Sequence, residues 1–222
     1  MSLATANYNS SYARNPICEG FHSFRVAAET TFNDTVPKVQ DFIGSPIGQG
    51  MIGFGLGLGM HLVYGPITER ILTAMGYVVS DSGAADPFMS MGLPSKILLM
   101  PLICILGPIQ EELGFRGGLQ GFFKDAFESF YLDRGLQDSS AKMAARVTSV
   151  FVTSVIFGLV HFSNAIIFWC NPVLFLPQVI AATIMGLIFG LAKEMTGDLA
   201  MPIGMHIGNN TLAWANMVSA HV

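Results

Sequence analysis

The sequence predicts an all-α fold, a polytopic integral membrane helical bundle with about five or six transmembrane helices. Two observations predict it. Hydrophobic residues make up 51% of the 222-residue chain and charged residues only 12%, with a mean hydropathy of +0.52; soluble domains carry about a quarter charged residues. The apolar residues are also gathered into five runs, on the scale of the roughly 20 residues needed to cross about 30 Å of hydrocarbon.

The chain divides into an N-terminal segment, residues 1–46, expected to be cytoplasmic or interfacial, and a membrane domain, residues 47–222. The first segment is polar and lacks the basic start and apolar core of a secretory signal. Phe21, Phe24, Ala28, Phe32, Val36, Val39 and Ile43 recur at steps of three and four, the period of an amphipathic helix, with Pro37 expected to break or kink it.

The first apolar run, Ile47 to Tyr64, contains "GQGMIGFGLGLG". Gly48, Gly50 and Gly53 match a dinucleotide fingerprint, but no strand precedes them and an apolar run follows, so that reading fails. Gly53 with Gly57, and Gly55 with Gly59, are instead small-xxx-small pairs that let helices approach closely in lipid. The linker that follows holds a short helix candidate near Ile71 to Val79 and has room for a sixth crossing or a re-entrant piece. The second run, Ile97 to Ile109, is too short to span unless its helix continues through "QEELGFRGGLQGFF".

Arg116 to Arg146 holds five of the eleven Lys and Arg residues and is expected to be a charged loop. The third run covers Val147 to Trp169, "CNP" makes a turn, and the fourth covers Val173 to Ala192 with Pro177 near its start. After a turn at "KEMTGD" the fifth run covers Leu199 to Val218. With each run spanning once, nine of the eleven Lys and Arg residues fall on one side, leaving Arg70 and Lys96 opposite, which predicts a cytoplasmic loop 116–146. Cys18, Cys104 and Cys170 are too few and too irregular for a disulfide frame or metal cluster. A net charge of −4 without a basic patch argues against nucleic acid.

Six ionisable residues interrupt the apolar runs: His61, Glu111, Glu112, Arg116, His161 and His206. Each intramembrane charge costs about 2.5–3.5 kcal/mol on insertion scales, so such groups call for a reason. His61 is expected to satisfy itself on nearby backbone. Glu112 and Arg116 are one helical turn apart, in the order that favours an ion pair. Glu111 is rotated about 100° away and is left to face a cavity. His161 shares a helix face with Phe157, and His206 with Asn210. A carboxylate beside imidazole suits deprotonation of water, and His and Asn donors suit an oxyanion; spacing favours Asn210 over Asn209 as the donor.

"EELGFR", "FGLVH" and "HIGNN" read in order as E-E-x-x-x-R, F-x-x-x-H and H-x-x-x-N. Together they resemble the CPBP family of intramembrane proteases, the Abi or CAAX protease group, which includes type II CAAX prenyl endopeptidases and bacteriocin self-immunity proteins. The resemblance covers Leu98 to Trp214, within a family core of residues 97–218. It implies an intramembrane endopeptidase in which Glu111 is the general base, His161 assists it, His206 and Asn210 stabilise the oxyanion, and Glu112 and Arg116 shape the first motif's helix. It further implies a multi-pass protein of a bacterial inner or plasma membrane, with the lipid bilayer and a peptide or protein substrate, prenylated in one branch of the group, as partners. Members are often labelled metalloproteases, so zinc on Glu111, His161 and His206 is the cofactor to test, although no H-E-x-x-H is present. Two other functions compete: a non-proteolytic immunity or scaffold protein of the same fold, and a proton-coupled carrier, which the lack of an internal repeat disfavours.

Overall fold

In the computed structural model the described residues are 29–31, 34–74, 76, 91–164 and 175–219. The chain divides into two units, Met1–Gly44 and Ser45–Val222. In the first, residues 34–44 are helical, and Pro37 does not end the helix. Val39, Phe42 and Ile43 are each about half exposed, while Phe21, Phe24, Ala28 and Phe32 lie outside the described residues.

The second unit is a bundle of five helices: α1 (Pro46–Ala74), α2 (Leu93–Asp133), α3 (Asp138–Val160), α4 (Leu176–Thr196) and α5 (Ala200–Ser219). No strand occurs among the described residues. The Ser45 hydroxyl accepts the Gly48 N–H at 3.0 Å and caps α1. α1 then runs ten residues past the first apolar stretch, with Pro66 inside it. Ile71 to Ala74 is therefore the last turn of α1, not a separate helix, and Val79 lies outside the described residues.

α2 is the longest element, with 41 residues and a length of about 60 Å, twice the hydrocarbon thickness. The second apolar run does continue through "QEELGFRGGLQGFF", and Glu111, Glu112 and Arg116 lie within one unbroken helix. The stretch expected to be a charged loop is likewise helical. It consists of the end of α2, a turn at Arg134–Gln137 with Gly135 at φ +84°, and the start of α3. No Pro and only one turn-forming Gly lie between Phe122 and Val147, and charge alone does not unwind a helix whose outer length lies beyond the bilayer core.

Two segments of α2, Leu102–Leu106 and Leu113–Leu119, are π-helical. Wide turns of this kind add a residue to the helical ring and shift its phase. Along α2 the buried positions are Lys96, Cys104, Pro108, Glu112, Arg116 and Gln120, the last five in a repeat of four residues where a regular helix would drift off the face. The first π segment has a visible cause. Gly107 N–H bonds to the Leu102 carbonyl five residues back, and Pro108 has no N–H for the next carbonyl, that of Ile103.

Among the described residues four helical segments are long and apolar enough to cross a membrane: Pro46–Thr68, Leu93–Asp133, Asp138–Val160 and Leu176–Thr196. α5, the fifth apolar run, falls short because it carries His206, Asn209, Asn210 and Asn216. It also holds seven buried residues, from Pro202 to Trp214. Protein surrounds this helix on several sides, so its polar groups face partners instead of lipid.

α1 and α5 run parallel, touching backbone to backbone. A methyl group at Gly53 would strike the Met201 carbonyl, one at Gly57 the Met205 carbonyl, and methyls at Gly204 and Gly208 the carbonyls of Gly50 and Phe54. The Gly53/Gly57 pair is thus the packing pair. Gly55 and Gly59 are exposed with nothing near them, since two residues along a helix is a rotation of about 200° to the other face. α2 runs opposite to α5, with Glu112 beside His206 and Ile103 beside Asn210. The carboxyl end of α1 and the amino end of α2 therefore lie at the same end of the bundle; residues 77–90, where the sequence has room for a sixth crossing or a re-entrant piece, lie outside the described residues.

α3 and α4 are antiparallel neighbours, with Gly158 against Val179 and Thr183, and Gly186 against Ser154. Pro177 stands in the first turn of α4, and Gly197 at φ +78° ends that helix after "KEMT", so the turn to α5 is only Gly197–Leu199. Asp198 caps α5 by accepting the Ala200 N–H. At this end Lys124 of α2, Arg146 of α3 and Lys193 of α4 surround the half-buried Glu194 at 3.9, 3.7 and 3.2 Å.

Candidate active site

The four-residue repeat of α2 brings Glu112 and Arg116 inward, and both are buried, at 0% and 1% exposure. Arg116 Nη1 donates to Glu112 Oε1 at 3.0 Å, as the one-turn spacing predicts. Its Nη2 donates to the Gly186 carbonyl at 3.2 Å, and the guanidinium lies 4.3 Å from the Phe157 ring centre. Burying an ion costs several kcal/mol after relaxation; the ion pair, the carbonyl and the aromatic face together offset it. Gly186 leaves space here: a Cβ would come within 3.2 Å of Arg116 Nη2 and closer still to Ser154, so these neighbours would have to give way.

His206 is the third member of this cluster, a contact that spacing along one helix could not reveal. Its Nδ1–H donates to Glu112 Oε1 at 2.9 Å, so one carboxylate oxygen holds both Arg116 and His206. The ring is walled by Phe189 at 5.1 Å and Phe157 at 5.9 Å. With Nδ1 committed, Nε2 faces Glu111, whose Oε2 is 3.8 Å away. Glu111 is 39% exposed at its side chain, and its Oε2 has no hydrogen-bond partner among the described residues. The two adjacent carboxylates thus occupy opposite sides of one imidazole, one dry and paired, the other open.

Asn210, one turn beyond His206, donates from Nδ2 to the Ile103 carbonyl at 3.1 Å. This is the carbonyl that Pro108 cannot serve. Asn209 Nδ2 donates to Asn210 Oδ1 at 3.1 Å, and Asn209 Oδ1 faces His61 Nδ1 at 3.3 Å. His61 therefore bonds side chains of α5 in addition to any backbone group. Cys104 is buried with its thiol 3.6 Å from the Asn210 carbonyl, while Cys18 and Cys170 lie outside the described residues.

His161 stands at the end of α3, where its Nδ1–H donates to the Phe157 carbonyl at 2.8 Å, leaving Nε2 as an acceptor. Phe157 joins it to the rest: its ring meets His161 at 5.0 Å, His206 at 5.9 Å and Phe115 at 4.9 Å. His161 makes no hydrogen bond or ion pair with Glu111 or His206 in this structure. The site therefore has a connected part, Glu111, Glu112, Arg116 and His206, and two outlying groups: the Asn210 amide, one helical turn away and turned to the Ile103 carbonyl, and the His161 imidazole behind a shared phenyl ring.

Zinc would need three side-chain ligands aimed at one point. His206 and His161 each commit Nδ1, to Glu112 and to a backbone carbonyl, which leaves Nε2 free as in a metal-binding histidine, but no three His, Cys, Asp or Glu side chains among the described residues converge to hold an ion. The donors as arranged do not make a three-ligand site.

A membrane bundle that keeps an acid–imidazole cluster inside it belongs to the polytopic all-α membrane proteins with a buried polar centre. Residues 93–212, more than half of the chain, match the family of type II CAAX prenyl endopeptidase Rce1-like proteins, and the chain belongs to that family. No curated protein and no solved structure matches it. The matched segment begins at the first residue of α2 and takes in every residue of the three motifs. It leaves out α1.

Proposed function

We propose that the protein is an intramembrane endopeptidase that hydrolyses a peptide bond with water activated at Glu111. The observation that carries this reading is the approach of Glu111 Oε2 to His206 Nε2, 3.8 Å across two helices, with the carboxylate partly open and otherwise unpartnered. That gap is too long for a direct hydrogen bond, and because Oε2 is itself buried the two groups must part for a water molecule to enter and bond to both. Glu111 takes a proton as the water oxygen adds to the scissile carbonyl, with His161 Nε2 assisting. The oxyanion that develops is met by the second N–H of Asn210 and by Nε2–H of His206 in its doubly protonated form, with Nδ1–H kept on Glu112. Collapse of the tetrahedral intermediate breaks the C–N bond, and the proton held at Glu111 passes to the departing amine. Glu112 and Arg116 take no part in these transfers; they hold His206 in place. Family membership supports a substrate peptide near the membrane surface, with a prenylated C-terminal segment as the first to try, and a cytoplasmic position for the basic end of the bundle.

The test compares wild-type protein with Glu111→Gln in proteoliposomes, using a fluorogenic farnesylated CAAX peptide, alongside a survey of new protein termini near membrane segments in cells. Cleavage is expected to disappear in Glu111→Gln while the melting temperature stays within a few degrees. Undiminished cleavage in that variant rejects the mechanism, and a cellular phenotype that persists without cleavage favours the peptide-binding scaffold. Elemental analysis of active protein with chelator controls completes the set: stoichiometric zinc whose removal abolishes cleavage would overturn the water-only scheme.

A further inference from the structure

We propose that His61, on α1 and outside the matched family segment, is a positioning residue that fixes the amide of Asn210 through Asn209. The inference rests on the reading of Asn210 as an oxyanion donor.

The argument starts at a group with no choice. The Ile103 carbonyl can only accept, so the Asn210 atom 3.1 Å from it is the nitrogen. Asn210 Oδ1 is then turned to the other side, where it accepts from Asn209 Nδ2 at 3.1 Å. That orientation points Asn209 Oδ1 at His61 Nδ1, 3.3 Å away, so Nδ1 must carry the hydrogen. His61 Nε2 is then the bare nitrogen, and at 3.3 Å it meets Asn216 Nδ2, a donor. Every link runs from donor to acceptor in one sense, and reversing any one amide sets like against like at a neighbour. The outcome at the site is specific: Asn210 keeps Oδ1 occupied and has a second N–H that no described residue takes.

The backbone puts His61 where this requires. The parallel pair α1 and α5 steps together in fours: Gly53 against Met201, Gly57 against Met205, and then His61 against Asn209. The glycines bring the two backbones into contact, and the next step along is close enough for two side chains to bond. The glycine seam of α1 thus has a purpose at the site beyond cohesion. Without the His61 hydrogen bond Asn209 Oδ1 loses its donor, and the amide that holds Asn210 Oδ1 is secured at one end only.

The experiment uses the full chain in proteoliposomes with the farnesylated CAAX peptide, or with a substrate recovered from the survey of termini, and compares His61→Phe, Asn209→Asp, the double variant, His61→Gln and Asn210→Ala. Asn209→Asp keeps the acceptor towards His61 and removes the donor towards Asn210. His61→Phe and Asn209→Asp are each expected to lower kcat roughly tenfold with KM within twofold, the double variant to be no worse than either, and His61→Gln to recover part of the loss. If Asn210→Ala lowers kcat while His61→Phe and Asn209→Asp do not, the relay is wrong and the oxyanion assignment stands. If Asn210→Ala is fully active, the oxyanion assignment fails. The relay is then judged by a second measurement, the side-chain amide resonances of Asn210 in ¹⁵N-labelled protein in micelles. They should shift in His61→Phe, and unchanged resonances overturn the proposal whatever the activity.

Discussion

The two faces of α5 are held by opposite means. Towards α1 the contact is glycine on backbone, with Gly53, Gly57, Gly204 and Gly208 leaving no space for even a methyl group. Towards α2 and α4 it is side-chain chemistry: His206 on Glu112, Glu112 on Arg116, and Arg116 on the Gly186 carbonyl and the Phe157 ring. In lipid, where burying an apolar side chain between helices gains little over leaving it in the tails, close backbone approach and satisfied polar groups are the two remaining sources of cohesion. The bundle uses one on each side of the same helix. The difference also predicts how each side fails: the first to added volume, the second to lost charge.

The largest effect is expected on the polar side. Glu112→Ala leaves Arg116 buried without its counter-ion and His206 without its holder, so a loss of about 3–5 kcal/mol is expected, read as a collapse of the folded fraction in a denaturant titration in micelles. A variant that melts like the wild type would show that the Gly186 carbonyl and Phe157 alone suffice for Arg116. Next comes the glycine side. Gly57→Leu should cost about 1–3 kcal/mol because backbone, not a flexible side chain, stands in the way, whereas Gly55→Leu, two residues away on the exposed face, should leave the melt unchanged. Equal effects at the two positions would dissolve the contrast. A smaller change, about 1 kcal/mol, is expected for Tyr131→Phe, which removes a hydroxyl bonded to Thr148 at 2.9 Å where α2 and α3 form their hairpin. The smallest belongs to Lys142→Ala: its 2.8 Å pair with Asp138 is exposed, and thermal melting should not detect its loss.

These residues also mark what was legible in the sequence. Glu112 and Arg116 were paired from a one-turn spacing because the interaction lies within one helix, and Gly53 and Gly57 were read as a packing pair for the same reason. Gly55 and Gly59 have the same spacing and face outward, since a motif gives the period of a face but not its direction. His206 on Glu112 and His61 on Asn209 went unseen because each joins helices distant in sequence, and α1 and α5 are parallel without being consecutive. The charged stretch after Arg116 was expected to be a loop on composition, yet it contains few helix breakers and folds as the outer ends of α2 and α3. The π segments have no signature in the sequence beyond Pro108, which follows the first of them closely.

Those wide turns have a consequence for how α2 could be edited. Each works as a slack turn on a threaded rod: it takes up one residue while the thread above and below keeps its phase. Removing one residue from Leu102–Leu106 would return that turn to ordinary pitch and take out only the residue the wide turn had absorbed, so Lys96 and the start of the helix, like Glu112, Arg116 and Gln120, would keep nearly their present aim. The half of α2 that carries the chemistry and the half that begins the crossing would therefore stay in register. A chain with this design can lose a residue there without re-aiming its carboxylates.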